Sequence, residues 1–246
     1  MKKWLSLFWA AGLLFSLVAC TDSESGFQVA GSFTPSTVSD STDSSSSLTA
    51  GGPSAETSAN NSSEEQTGSD ILIAYFSWAD NAVLDGEVDA VASPSVTAPG
   101  NVQELAGWIQ QETGGDLFSI RVTDPYSSDW DECLDRANQE KAEGTRPELV
   151  ETVENMDDYD VIFLGYPNWW YSCPMALISF LEEQDFSGKQ VYLFCSHGTG
   201  GLANSVEDIT EVIPDADLSD NVFDVYEEDA SSSRDEVESW LQELGY

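Results

Sequence analysis

Asp160-Val161-Ile162-Phe163-Leu164-Gly165-Tyr166-Pro167-Asn168-Trp169-Trp170 is the stretch on which the fold turns. Its first half is apolar without alternation, the pattern of a strand covered on both faces, and such strands belong to parallel sheets wrapped by helices. Its second half, a proline, an amide and two indoles, leaves the strand for a loop. Outward from it the pattern recurs. Ile71-Leu72-Ile73-Ala74-Tyr75-Phe76 and Val191 to Cys195 are runs of the same kind, Leu117 to Val122 is another, and Leu218 to Tyr226 supplies a weaker fifth.

Segments of helical period lie between these runs. Val102, Leu105, Ala106 and Ile109 recur at helical spacing after Gly100, and Gly114-Gly115 stops them. Asp129 to Glu143 predicts an exposed, charged helix. Pro174 suits an early position in a helix running to Glu183, and Leu202 to Val212 predicts a helix that Pro214 ends. Ser231 to Leu244 is the last, with Ser232 or Ser233 as N-cap. Five strands alternating with helices predict an α/β fold with a parallel sheet, because parallel strands need crossover connections. Pattern does not fix the strand order. In open sheets of this kind, however, ligands sit beyond the carboxyl ends of the strands where the order reverses, so the residues after strands one, three and four are the ones to read.

Those residues are Ser77-Trp78-Ala79-Asp80-Asn81, Tyr166-Pro167-Asn168-Trp169-Trp170-Tyr171 and Ser196-His197-Gly198-Thr199-Gly200-Gly201. With them the chain resembles the flavodoxin-like family, in particular a lipoprotein-associated branch with an insertion after the first strand. The matching pieces are Tyr75-Phe76-Ser77, Gly165 to Trp170, Cys173-Pro174-Met175 with Phe180-Leu181-Glu182, and Phe194 to Gly198, in order and at strand ends. The resemblance implies a three-layer sandwich with a five-stranded parallel sheet of order 2-1-3-4-5. It also implies FMN, with the phosphate in the first loop and the isoalloxazine ring between the loops after strands three and four. It assigns Ser77 and Trp78, with Gly100, Asn101 and Val102, to the first loop. Pro167, Asn168, Trp169 and Trp170, with Ser196, His197, Gly198 and Gly201, fall to the other two.

The chemistry of these residue types is compatible. A phosphate dianion in an anionic protein needs neutral donors, meaning hydroxyls and backbone N–H groups at a helix N-terminus, and Ser77 brings a hydroxyl. The usual phosphate loop continues through Thr-Gly-Asn-Thr, whereas this chain inserts Ala79 to Pro99 before Gly100-Asn101-Val102. Val102 replaces a hydroxyl residue, a deficit of about 0.5 to 1.5 kcal/mol for one hydrogen bond. A first loop that has lost its cofactor is the competing reading.

Trp169, Trp170 and Tyr171 cannot all point into one core, so at least one stands exposed at the loop tip. An aromatic face beside a flavin contributes about 0.5 to 1.5 kcal/mol beyond burial. His197 is the single histidine, and no GxSxG elbow makes Ser196 a nucleophile, so the loop is read as a source of hydrogen bonds to a flavin edge rather than of acid-base catalysis. Within the insertion, Asp89 to Thr97 resembles the Asp-Ala-x-Ser-Gly-Ala-Thr sequence on which some exported flavoproteins carry covalent FMN. Ser95 stands at the acceptor position, while Ala92, Ser93 and Pro94 depart from the pattern. The plainer reading of the insertion is a solvated lid over the nucleotide.

Charge narrows the partners. Against 45 Asp and Glu stand 8 Lys and Arg, a formal net charge of −37, which argues against nucleic acid and favours cationic partners. Four cysteines and one histidine without metal-ligand spacing predict no structural metal. Cys195 reads as a buried small hydrophobe, and the pairing of Cys133, Cys173 and Cys195 is left open.

The first 69 residues have a different character. Lys2 and Lys3 precede an apolar run from Trp4 to Ala19, which is a secretory signal too short for a comfortable membrane span. Leu17-Val18-Ala19-Cys20 resembles the bacterial lipobox, which implies a lipid on Cys20. Thr21 to Ser69 is rich in Ser, Thr, Asp, Glu, Gly and Ala, and predicts a flexible linker with a reach of about 35 to 45 Å. The expected organisation is a signal peptide over 1–19, a lipidated linker over 20–69 and a folded domain over 70–246. The protein would then sit on the outer side of a bacterial cell membrane.

These readings together describe a tethered electron carrier serving a redox partner protein or a small-molecule donor or acceptor. Two alternatives stand beside it: an NAD(P)H-dependent quinone or flavin reductase, and a cofactor-free binding module using Trp78, Trp169 and Trp170. A phosphoacceptor receiver of the same topology would need an acidic residue ending strand three and a lysine after strand five. The chain has Gly165-Tyr166-Pro167 and no lysine beyond Lys189.

Overall fold

The computed structural model describes residues 69–246 apart from 85, 87 and 89–91, so the expected signal peptide over 1–19, Cys20 and all but the last residue of the expected linker lie outside the described residues. In chain order the elements are β1 (Ile71–Tyr75), α1 (Trp78–Asn81), β2 (Ala82–Val83), α2 (Ser93–Val96), α3 (Asn101–Thr113), β3 (Asp116–Ser119), β4 (Tyr126–Ser127) and α4 (Trp130–Glu143). They continue with β5 (Val161–Pro167), α5 (Met175–Glu183), β6 (Gln190–His197), α6 (Ser205–Val212), β7 (Asp217–Leu218), β8 (Phe223–Tyr226) and α7 (Arg234–Leu244).

The sheet is parallel and runs β3-β1-β5-β6, with β7 and β8 both paired to the outer edge of β6. That is the order 2-1-3-4-5, with the fifth position occupied by two short pieces rather than one strand. Period-two alternation separates the two faces. Ile71, Ile73 and Tyr75 of β1 pack with Leu105, Ile109, Val237 and Trp240 of α3 and α7. Leu72, Ala74 and Phe76 pack toward Leu177, Phe180 and Ile209 of α5 and α6. Each face of the continuous apolar runs therefore has its own helical layer.

Gly165 shows how closely neighbouring strands approach. It pairs with Phe194 of β6, and a Cβ on Gly165 would lie 2.2 Å from the Phe194 ring. Helix ends follow their chemistry. Asp129 accepts a hydrogen bond from the Glu132 N–H at the head of α4, and Gly114 and Gly144 close α3 and α4 in the left-handed region.

Three expectations change. The insertion is no solvated lid throughout, because Ala92 and Val96 are buried in the main core and hold α2 against the domain. Helix α4 is charged but not exposed all round: Cys133, Ala137 and Glu140 are buried along one side. α6 begins at Ser205 because residues 199–204 form turns around Gly201, whose φ is +60°. All three cysteines of the described domain are buried free thiols.

Candidate functional site

A cleft of about 320 Å³ opens at the carboxyl ends of β5, β6 and β8, beside the β1–β5 boundary where the strand order reverses. Pro167, Asn168, Trp169, Trp170 and Tyr171 line it from β5, and Ser196, His197, Gly198, Thr199 and Gly200 from β6. Tyr226 and Glu227 enter from β8, and Trp78 and Ser95 from the insertion side.

The remaining wall was not anticipated. Trp130, Cys133, Leu134 and Ala137 of α4 also line the cleft. Their spacing of i, i+3, i+4 and i+7 is an amphipathic stripe, a signal present in the sequence but hidden there by the surrounding charges. The cleft lining thus combines an apolar helical stripe with the aromatic residues after β5 and the polar groups of residues 196–200.

The loop after β5 is built under strain. Trp169 and Ser172 exchange backbone hydrogen bonds of 2.9 and 3.0 Å, closing a tight turn whose central residues Trp170 and Tyr171 have φ of +53° and +59°. Side chains other than glycine in that region cost roughly 1–2 kcal/mol each. Contacts around the turn hold it: the Trp170 indole donates to the Leu134 carbonyl at 3.1 Å, and Lys141 Nζ donates to the Trp170 carbonyl at 3.0 Å. The Asn204 N–H donates to Tyr171, and the Ser172 hydroxyl donates to Asp208. The consequence is a Tyr171 ring 62% exposed at the rim, with Gly200 directly against it. Trp169 instead packs edge-on against Phe76, Tyr126 and Trp78 while still facing the cleft.

Amide side chains knit the loops together. Asn168 donates through its side chain to the Leu202 carbonyl and through its backbone to Ser196. Asn101 donates to Ser196 Oγ at 3.2 Å and to the Glu227 carbonyl at 2.9 Å, joining the head of α3 to the ends of β6 and β8. His197 meets the Gly198 carbonyl through Nδ1 and the Asp224 carboxylate through Nε2, both at 2.8 Å. Nε2 thereby ties the loop to β8, while Nδ1 fixes the ring against its own loop.

Of the first-loop residues Trp78 lines the cleft, whereas Ser77, Gly100, Asn101 and Val102 do not. Ser77 is buried, and its hydroxyl has no hydrogen-bond partner. That oxygen lies 2.8 Å from the point a Cβ on Gly100 would occupy, with the Ser95 carbonyl oxygen 2.8 Å from the same point and Ala79 Cβ at 2.9 Å. Only glycine fits as the N-cap of α3. Val102 does not belong to this group: its side chain packs in the core with Ile73 and Leu105, because the second residue of α3 faces the sheet. Gly201 also stands back from the cleft, donating its N–H to Gly198 within the loop.

The cleft holds no activated nucleophile among the described residues. Burial pushes the Cys133 and Cys173 thiols up to about 12 and the Cys195 thiol higher still. Glu227 is also raised, by burial and then by neighbouring Glu228, with His197 acting in the opposite sense. Among the described residues no arginine or lysine lines the cleft. The arrangement is suited to binding a planar amphipathic molecule rather than to covalent chemistry.

Residues 90–244 match the family described as Flavodoxin. A candidate flavoprotein of known structure from Bacteroides eggerthii is 27% identical, with 68% of this chain and 97% of that one covered and a TM-score of 0.50. Another from Bacteroides uniformis is 23% identical, with 71% and 99% covered and a TM-score of 0.56. A flavoprotein from Lactobacillus acidophilus, solved in complex with FMN, is 20% identical over 68% and 97% of the two chains with a TM-score of 0.44. No curated protein matches the chain.

Proposed function

The chain belongs to the flavodoxin family, and on that premise we propose that it binds FMN and carries electrons on the outer side of a bacterial cell membrane, tethered by a lipid on Cys20. The observation that carries the flavin reading is the unpartnered Ser77 hydroxyl. A hydroxyl buried without a partner costs about 1–3 kcal/mol, and a phosphate at the head of α3 would supply its missing acceptor. The cleft fits the rest of the molecule. Its α4 stripe suits the dimethylbenzene end of the ring, and the backbone groups of residues 196–200 suit the polar end.

Bound FMN supplies reversible one- and two-electron chemistry, and the protein sets where and how readily it happens. Trp169, held edge-on by three aromatic rings, offers a packed face, and Tyr171 a rim open to solvent. Glu227, as an anion in the cleft wall, opposes the accumulation of negative charge beside it and so favours a low potential. Among the described residues no arginine or lysine lines the cleft to meet the phosphates of a nicotinamide dinucleotide, so a protein or small-molecule redox partner suits the site better than NAD(P)H.

Mixing the full chain with FMN at micromolar concentration tests the flavin reading. Quenched flavin fluorescence and a shifted visible spectrum are expected, and free-flavin spectra throughout would overturn it. In-gel flavin fluorescence after denaturation reports whether any flavin is covalent at Ser95. The tether is tested by Cys20→Ala, which is expected to move the protein from the membrane to the soluble fraction.

A further inference from the structure

We propose that His197 is held as an imidazolium and serves as the fixed positive charge of the cleft, favouring the reduced, more anionic form of a bound flavin; the second half rests on the flavin reading given above. The charge follows from what the ring touches. Nδ1 lies 2.8 Å from the Gly198 carbonyl and Nε2 lies 2.8 Å from the Asp224 carboxylate. A carbonyl oxygen and a carboxylate accept hydrogen bonds and donate none, so each nitrogen must bring a proton. A neutral imidazole has one N–H and would set the lone pair of its other nitrogen against an oxygen at hydrogen-bond distance. The imidazolium satisfies both contacts.

Its place gives that charge its reach. His197 ends β6 and lines the cleft, whereas its partner Asp224 does not line it. The positive member of the pair is thus the one in the cleft wall. The His197 side chain is 12% exposed against 45% for Asp224, so solvent screens the carboxylate better than the cation. The other titratable groups around the ring are Tyr226, edge-on at 6.3 Å, and Glu227, whose N–H donates to the His197 carbonyl at 2.8 Å and which is followed by Glu228. Near Asp224, burial keeps the Cys195 thiol and the Tyr166 hydroxyl protonated. The rest of the cleft lining adds Tyr171 and the Cys133 thiol. Among the described residues that line the cleft, His197 therefore faces Glu227 as cation to anion, and the two act on a reduced ring with opposite sign. His197 transfers no proton, because both of its N–H groups are engaged within the protein.

The test has a part that needs no flavin. His197 is the chain's single histidine, so magnetic resonance of the full chain labelled with nitrogen-15 histidine reports it alone. Near neutral pH both ring nitrogens are expected to show the protonated shift, and one protonated with one bare nitrogen overturns the proposal. The role in the cleft is read from the flavin midpoint potentials of the wild type, His197→Gln and His197→Lys. Loss of the cation in His197→Gln is expected to weaken reduced FMN about tenfold more than oxidised FMN, a fall of about 30 mV for a two-electron couple. His197→Lys, which keeps a positive charge, is expected to recover most of that fall, and unchanged affinity for oxidised FMN reports that a variant is folded. Equal potentials in the wild type and His197→Gln overturn the role and leave the flavin reading standing. Wild-type protein that binds no FMN overturns the flavin reading and the role together, and the nitrogen-15 result then decides the charge by itself.

Discussion

Ser77→Ala is expected to make the flavin-free protein more stable and the flavin complex weaker. In the free protein the Ser77 oxygen is buried and unpartnered, and although Ser77 is the N-cap of α1 its side chain makes no capping hydrogen bond. Alanine therefore removes an unsatisfied polar atom and takes no contact with it. Relief of about 1–3 kcal/mol follows from the cost of such an atom, and each kcal/mol raises Tm by about 2–4 °C in a domain of this size. In the complex the same oxygen bonds a charged phosphate, a contribution of about 1.5–3 kcal/mol, so FMN affinity should fall roughly 10- to 100-fold. Riboflavin affinity should not move. Thermal denaturation without flavin and parallel titrations with FMN and riboflavin measure all three quantities. A lower Tm in the flavin-free variant, or equal losses for the two ligands, would refute the reasoning.

Three further outcomes follow from the geometry. Gly165→Ala places a Cβ 2.2 Å from the Phe194 ring across two central strands, so denaturant unfolding should show a loss of about 1–3 kcal/mol or more. Arg136→Ala leaves the buried Glu140 carboxylate without the guanidinium that bonds it at 2.8 Å and covers the Tyr126 ring at 4.0 Å. A loss of about 3 kcal/mol is expected, with Arg136→Ala/Glu140→Gln recovering much of it in the same unfolding assay. Glu227 has a folded pKa above its unfolded value, so its ionisation subtracts stability above the folded pKa, and that deficit vanishes as pH falls below the ordinary glutamate range. Glu227→Gln should accordingly raise Tm at neutral pH and not at about pH 3, and raise the flavin midpoint potential most where wild-type Glu227 is charged.

Several features of this protein were legible without coordinates because they depend on local order. The unbroken apolar runs around Ile73, Phe163 and Leu193 mean burial on both faces, and with helical segments between them they require a parallel α/β sheet. The loops that carry the cleft follow from that sheet alone, as does the exposure of one of three consecutive aromatics, which is Tyr171.

Other features depend on which side chains meet across long separations, and these only the tertiary structure decided. Residues 130, 133, 134 and 137 carry a stripe, but nothing local says that it faces a cleft formed by loops more than thirty residues later. Val102 is adjacent to Asn101 in sequence, yet helical geometry sends it into the core while Asn101 bridges to Ser196 and Glu227. The left-handed backbone at Trp170 and Tyr171 contradicts local preference and persists because contacts from α4 and residue 204 hold it. The unpartnered oxygen of Ser77 is a property of its whole surroundings. A sequence can supply the hydroxyl, but only the packing of Gly100, Ala79 and Ser95 around it leaves that hydroxyl without a partner.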